Sequence, residues 1–127
     1  RNEKKRKKLF KIRQINNAYF QKKIKKIKNN LHAINIIDKN YQNFLDFPIL
    51  VKNKKSLNRY LLKNGIEIRY KHYYNFEKLF KKNKDCTNAE RYENELICLP
   101  SHPKINFSYM EKVIYKINQY YTKSLNE

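Results

Sequence analysis

Gly65 is the only glycine in this 127-residue chain, and that single fact removes whole classes of fold and site. A dinucleotide-binding fingerprint and a P-loop each need several glycines so that backbone can approach phosphate, so neither can be present. The position of Gly65 is as informative as its solitude. It follows Leu57, Tyr60, Leu61 and Leu62, which recur at helical spacing, and then Asn64. A glycine there takes the left-handed conformation that closes a helix. Asn53 or Ser56 can cap the start of the same helix.

The rest of the chain parses around that helix. Residues 3–29 contain no Gly or Pro, and Leu9, Ile12, Tyr19, Phe20, Ile24, Ile27 and Leu31 recur at mostly three- and four-residue steps. This predicts one long helix stopped near Asn29-Asn30. Residues 32–43 lack a clean period and read as a loop or short strand. Residues 44–51 form an apolar run of strand length, placed at an edge or bulge by Pro48, which cannot donate to a sheet ladder. Ile66 to Tyr70 alternates as a strand and runs into the loop His72-Tyr73-Tyr74. Residues 75–88 read as irregular, with a helical turn near Leu79-Phe80, and 89–94 as a short helix. Glu95 to Leu99 suits a buried strand stopped by Pro100 and Pro103. Asn106 or Ser108 then caps a last helix, Ser108 and Glu111 having capping-box spacing. Its apolar stripe is Met110, Val113, Ile114, Ile117, Tyr120 and Tyr121. The predicted class is α+β: a small, mostly antiparallel sheet of about three strands with helices on one face. The expected core is Leu96, Leu99, Val113, Ile114 and Ile117, with Ile49, Leu61 and Ile66.

A net charge of +19 invites a nucleic-acid reading. Lys supplies 24 of the 30 basic residues, however, and the planar arginine fork that reads bases and clamps phosphates is scarce. The chain also holds 18 Asn, 14 Ile and 11 Tyr. Lys, Asn, Ile and Tyr share A/T-rich codons, so a nucleotide bias raises all four together. The charge is uneven: residues 1–28 carry 13 basic residues against one acid, Glu3, a net of +12. A small basic nucleic-acid-binding protein using that helix is therefore the alternative reading. A solvated lysine face is the plainer one.

No run of apolar residues is long enough to span a membrane. Two cysteines, Cys86 and Cys98, are too few for a disulfide scaffold and point to a reducing, cytoplasmic setting. Residue 1 is Arg and Met110 is the only methionine, so a chain cut from a longer protein is expected. Cys86, Cys98, His102 and His72 lack the close spacing that nucleates a zinc site, and no metal is expected. Nothing local activates Cys86 against His72 as a nucleophile. Glu90, Glu93 and Glu95 read as solvated ion-pair partners of nearby lysines. The aromatic cluster Tyr70, His72, Tyr73, Tyr74 and Phe76 can line a sugar, nucleotide or nucleic-acid pocket, or can pack partly into the core.

A series of landmarks adds to this reading. Leu61-Leu62-Lys63-Asn64-Gly65-Ile66 is followed by Cys86-Thr87-Asn88-Ala89-Glu90, then by Leu96-Ile97-Cys98-Leu99-Pro100-Ser101-His102-Pro103, then by Val113 and Ile117. Over roughly residues 41–122 this order resembles the C-terminal domain of the DegT/DnrJ/StrS-type sugar aminotransferases. Arg13, Phe20 and Ile24 resemble that family's R-x6-Y-x3-L pattern in the helix leading into the small domain. The chain departs from the pattern in its His72-Tyr73-Tyr74-Asn75-Phe76 loop, where the family has Tyr-Pro and Pro-Leu-His. It departs again at Ser101, where the family has an aliphatic residue.

The resemblance implies the small domain of an aspartate-aminotransferase-type enzyme. Residues 1–31 would be a connecting helix and 32–127 the small domain, with the large cofactor-binding domain upstream and absent. The full-length enzyme would use pyridoxal phosphate, linked to a lysine of that large domain, to pass an amine from glutamate to a nucleotide-linked keto sugar for polysaccharide or lipopolysaccharide biosynthesis. It would work as a homodimer. The resemblance assigns no catalytic residue to this chain, and the chain alone would bind no cofactor. His72, Tyr73 and Tyr74 are its candidate substrate-lining residues, and His102 is read as fixing the turn before the last helix. A degenerate remnant of such an enzyme is a third reading.

Overall fold

A computed structural model of the chain describes residues 2–27, 31–33, 45–70, 74–76 and 86–123. Along the chain these form helix α1 (Asn2–Ile24), strand β1 (Leu31–Ala33), strand β2 (Phe47–Val51), helix α2 (Lys54–Lys63), helix α3 (Thr87–Glu95), strand β3 (Leu96–Leu99) and helix α4 (Phe107–Lys123). No helix among the described residues is long and apolar enough to cross a membrane.

The sheet has the order β1-β2-β3 and is antiparallel throughout. Ile49 lies opposite Ile97 and Phe47 opposite Leu99, so Phe47, Ile49, Val51, Ile97 and Leu99 share one face. That face meets Phe20, Ile24 and Ile27 from α1 and the turn after it, Leu57 and Leu61 from α2, and Met110, Val113, Ile117 and Tyr121 from α4, in one hydrophobic cluster. The α+β architecture with helices on one face is therefore present. Leu50, Leu96 and Cys98 alternate to the opposite face and are themselves nearly buried, so β3 reads as an unbroken apolar run. Of the expected core, Ile49, Leu61, Ile66, Leu99, Val113 and Ile117 are fully buried, Leu96 nearly so, and Ile114 sits half-buried at the margin.

The strands are not all those the alternation pattern selects. Among the described residues Ile66 to Tyr70 makes only one bridge, Arg69 with Cys98, and the third ladder position belongs to the three-residue β1. The reason lies in how α2 ends. Gly65 has φ +70°, its N–H bonds the Leu62 carbonyl, and the Ile66 N–H bonds the Leu61 carbonyl. This is the Schellman closure, with Ile66 folded back onto Leu61 in the core. The chain leaves that closure committed to burying Ile66 and Ile68, and touches the free edge of β3 only at Arg69.

The ends of α1 and α2 differ from expectation, and the start of α4 falls on one of its two expected caps. First, α1 ends at Ile24, five residues early, and Leu31 belongs to β1. Only its C-terminal half packs: residues 2–9 are all exposed, whereas Phe20 and Ile24 are buried. Second, Asn53 precedes α2 but makes no side-chain cap; it sits at φ 59° in the tight turn leaving β2, a conformation asparagine tolerates. Third, Asn106 and not Ser108 caps α4: its Oδ1 accepts the Tyr109 N–H at 2.8 Å. The short helix expected over 89–94 extends to Thr87–Glu95 and runs straight into β3. Lys54 fixes that junction by donating to the carbonyls of Glu93 and Leu96. The helical turn expected near Leu79-Phe80 lies outside the described residues.

Two asparagines of α1 are buried, which the pattern of its polar face does not suggest. Asn17 donates to the Arg13 carbonyl at 3.0 Å, a local bond. Asn16 reaches 85 residues along the chain to donate to the Ser101 carbonyl at 3.1 Å, and also approaches the His102 carbonyl at 3.4 Å. A buried amide without partners would cost about 1–3 kcal/mol, so this bond fixes how α1 sits against the turn after β3.

Candidate functional site

Beside that turn the described residues line an open cavity of about 500 Å³. Three stretches build it: Leu45 and Asp46 ahead of β2, Glu67 to Tyr70 after the Gly65 closure, and Cys98 with Pro100, Ser101 and His102 at the end of β3. The first two are joined by an ion pair, Arg69 Nη1 to Asp46 Oδ2 at 2.8 Å. The second and third are joined by paired backbone bonds: the Arg69 N–H to the Cys98 carbonyl at 3.2 Å and the Cys98 N–H to the Arg69 carbonyl at 2.9 Å. The first and third are joined by Ser101, fully buried, whose Oγ lies 3.3 Å from the Leu45 carbonyl.

His102 is exposed at the rim. Its Nδ1 accepts the Lys104 N–H at 3.2 Å and its carbonyl accepts the Ile105 N–H at 2.9 Å, so it closes the turn that leads to α4. With Nδ1 occupied as an acceptor, the neutral ring carries its proton on Nε2. Burial pushes the Cys98 thiol up to about 11, and the nearby Asp46 carboxylate adds to the rise, while Arg69 and Lys54 act against it. At neutral pH Cys98 is a protonated thiol, a small packed side chain and not a nucleophile. Cys86 is exposed at the start of α3. Among the described residues no three His, Cys, Asp or Glu side chains converge as metal ligands would. Glu95 pairs with Arg91 at 3.0 Å along α3.

Of the candidate substrate-lining residues, His72 and Tyr73 lie outside the described residues. Tyr74 is exposed, at 61 %. Tyr70, half-buried against the core, links the cavity wall to that loop. Sequence reasoning missed the Asp46–Arg69 pair. The two residues stand 23 apart, and their only signal is a charged residue at the head of one strand-like run and within another.

Comparison with known proteins then bears on the whole chain. The DegT/DnrJ/EryC1/StrS aminotransferase family profile matches residues 4–118. No curated protein matches the chain. Among solved structures, the fold is similar to the sugar aminotransferase CalS13 from Micromonospora echinospora, with a TM-score of 0.78 and 16% identity over 89% of this chain and 31% of that one. It is similar to S. venezuelae DesV, solved with a ketimine intermediate, with a TM-score of 0.80 and 13% identity over 90% of this chain and 32% of that one. It is similar also to Helicobacter pylori PseC, an aminotransferase of pseudoaminic acid biosynthesis, with a TM-score of 0.73 and 20% identity over 87% of this chain and 32% of that one. The chain thus spans about a third of the length of the solved structures it matches.

Proposed function

Because the chain belongs to the DegT/DnrJ/EryC1/StrS aminotransferase family, we propose that it is the C-terminal small domain of a pyridoxal-phosphate-dependent sugar aminotransferase. The observation that carries this is the family match over residues 4–118, which takes in every described element except the first two residues of α1 and the end of α4. In this reading residues 1–31 lead from a large domain into the small domain of residues 32–127. The full-length enzyme, a homodimer, moves an amine from glutamate to a nucleotide-linked keto sugar.

Among the described residues, those that line the cavity do not fit the cofactor itself. None of the described residues lining the cavity is a lysine that could link to pyridoxal phosphate. The single glycine, Gly65, provides no phosphate-cradling loop. The reading therefore gives cofactor binding and the proton transfers to the large domain, and gives this chain the work of walling the substrate side of the cleft. What supports that role is that residues 72–74 follow closely in sequence on Tyr70, a residue of the cavity wall. A tyrosine there offers a flat apolar ring and a hydroxyl tip, the combination that grips sugar and base together.

The test is kinetic and uses the full-length enzyme. Tyr73→Phe with Tyr74→Phe raises KM for the nucleotide sugar and leaves kcat near its original value, because the hydroxyls contribute binding and no chemistry. Unchanged KM rejects the loop's role. Absence of any glutamate-dependent amination by the full-length enzyme rejects the aminotransferase reading as a whole.

A further inference from the structure

The solvent side of α1 has a pattern of its own. Between Phe10 and Ile27 the exposed positions are 11, 15, 18, 22, 25 and 26. Steps of four and three put them on one face of the helix, and the Lys25 N–H, bonded to the Gln21 carbonyl, carries the helical phase past Ile24. Four of the six are lysines: Lys11, Lys22, Lys25 and Lys26. The same phase runs back through Lys4, Lys7 and Lys8 in the exposed lead. This face lies opposite Phe20 and Ile24, which anchor the helix in the core.

A nucleotide bias raises the number of lysines everywhere but does not choose their phase on a helix. Nor is the row neutralised within α1, whose one acid, Glu3, pairs only with Lys7, at 2.8 Å in full solvent. The residues outside the described set hold eight basic side chains and four acidic ones, so the sequence keeps no surplus of acid to cancel this face.

The row extends over roughly 30 Å and is interrupted between Lys11 and Lys22. Apolar side chains stand at the interruption. Ile15 is 59 % exposed, and one turn on, Tyr19 meets Phe107 of α4 edge to face with ring centroids 4.6 Å apart, Phe107 itself being 55 % exposed. That combination discriminates between polyanions. A nucleic-acid duplex offers phosphates, but its backbone gives Ile and Phe little to bury in, and its bases are read best by arginine forks, which this row lacks. A membrane surface offers both anionic headgroups for the ammonium groups and an interfacial layer that takes aromatic and aliphatic side chains beside them. A straight row also meets a plane along its whole length.

We propose that this face of α1 docks the chain on anionic phospholipid bilayers, with the lysines at the headgroups and Ile15 and Phe107 at the acyl boundary. The helix lies along the surface while its opposite face stays packed in the core. The docking is independent of the aminotransferase reading.

The test sediments the full chain with vesicles of phosphatidylcholine alone, or with phosphatidylglycerol added. The chain binds the anionic vesicles and not the neutral ones, and more weakly as salt rises. Each lysine at such a surface is worth about fivefold in affinity, so changing Lys22, Lys25 and Lys26 together to Gln weakens binding about a hundredfold. Changing the exposed Lys52, Lys55 and Lys63 of β2's exit and α2 to Gln removes the same charge and leaves affinity within about twofold. Ile15→Gln weakens vesicle binding severalfold. All these positions are exposed, and an unchanged urea midpoint verifies that each variant folds. Failure to bind anionic vesicles overturns the proposal, as does equal binding to neutral ones or an equal loss in the two lysine triples. A mixed-sequence DNA duplex that strips the chain from vesicles at matched phosphate concentration, with an affinity that ignores Ile15→Gln, gives the face to nucleic acid and overturns it too.

Discussion

At the scale of single residues, the two cysteines show how position sets chemistry. Cys98 is 5 % exposed on β3, its thiol pushed up to about 11 chiefly by burial, while Cys86 is open to solvent. A thiol-specific disulfide reagent at pH 8 therefore labels Cys86 quickly and Cys98 only after unfolding, because the thiolate is the reactive form. The sign extends to stability. A raised folded pKa keeps Cys98 neutral in the native state while the unfolded chain ionises near 9, so its contribution is intact below pH 9 and is lost as pH climbs towards 11. Fast double labelling of the native chain at pH 8 contradicts this account. Gly65 was legible from sequence because only a left-handed closure explains one glycine placed just past an apolar stripe. Asn16 was not legible: on a helix face crowded with Lys and Gln a buried amide looks like one more solvated side chain, and its acceptors lie 85 residues away.

At the scale of elements, helices carried by a stripe could be located in the sequence and their ends could not. The Met110, Val113 and Ile117 stripe marks α4 because four-residue and three-residue steps stack side chains on one face. Its start was ambiguous between Asn106 and Ser108, and geometry decides for Asn106. Asn106→Ala should cost about 1 kcal/mol in urea unfolding, and Ser108→Ala close to nothing; equal losses would return the cap to Ser108. The Ile66–Tyr70 segment misled for a physical reason. Alternation reports which side chains are buried and says nothing of whether a neighbouring backbone is there to pair with. Ile66 and Ile68 are buried as expected, but the Schellman closure directs the segment so that only Arg69 meets β3. The site suffered in the same way, since Asp46 and Arg69 become partners only after β2 and β3 are side by side.

At the scale of the molecule, one cluster ties three helices to one sheet face, so stability should be shared across it. Ile117, fully buried, and Ile114, at the margin, differ by three residues on the same helix. Ile117→Ala should cost about 2–5 kcal/mol through lost burial and the cavity left behind, and Ile114→Ala distinctly less. Both are read from midpoint shifts in denaturant, and similar losses would mean that the cluster does not close as described. The clamp of Asn16 on the turn after β3 has a consequence for how such a chain can vary. Each helical residue added advances the axis by 1.5 Å and turns it by about 100°. Extra residues within 2–9 therefore only lengthen the exposed lead of α1. A single insertion between Asn16 and Phe20 would swing the carboxamide out of phase with the aromatic ring and unlatch one from its acceptors or the other from its socket.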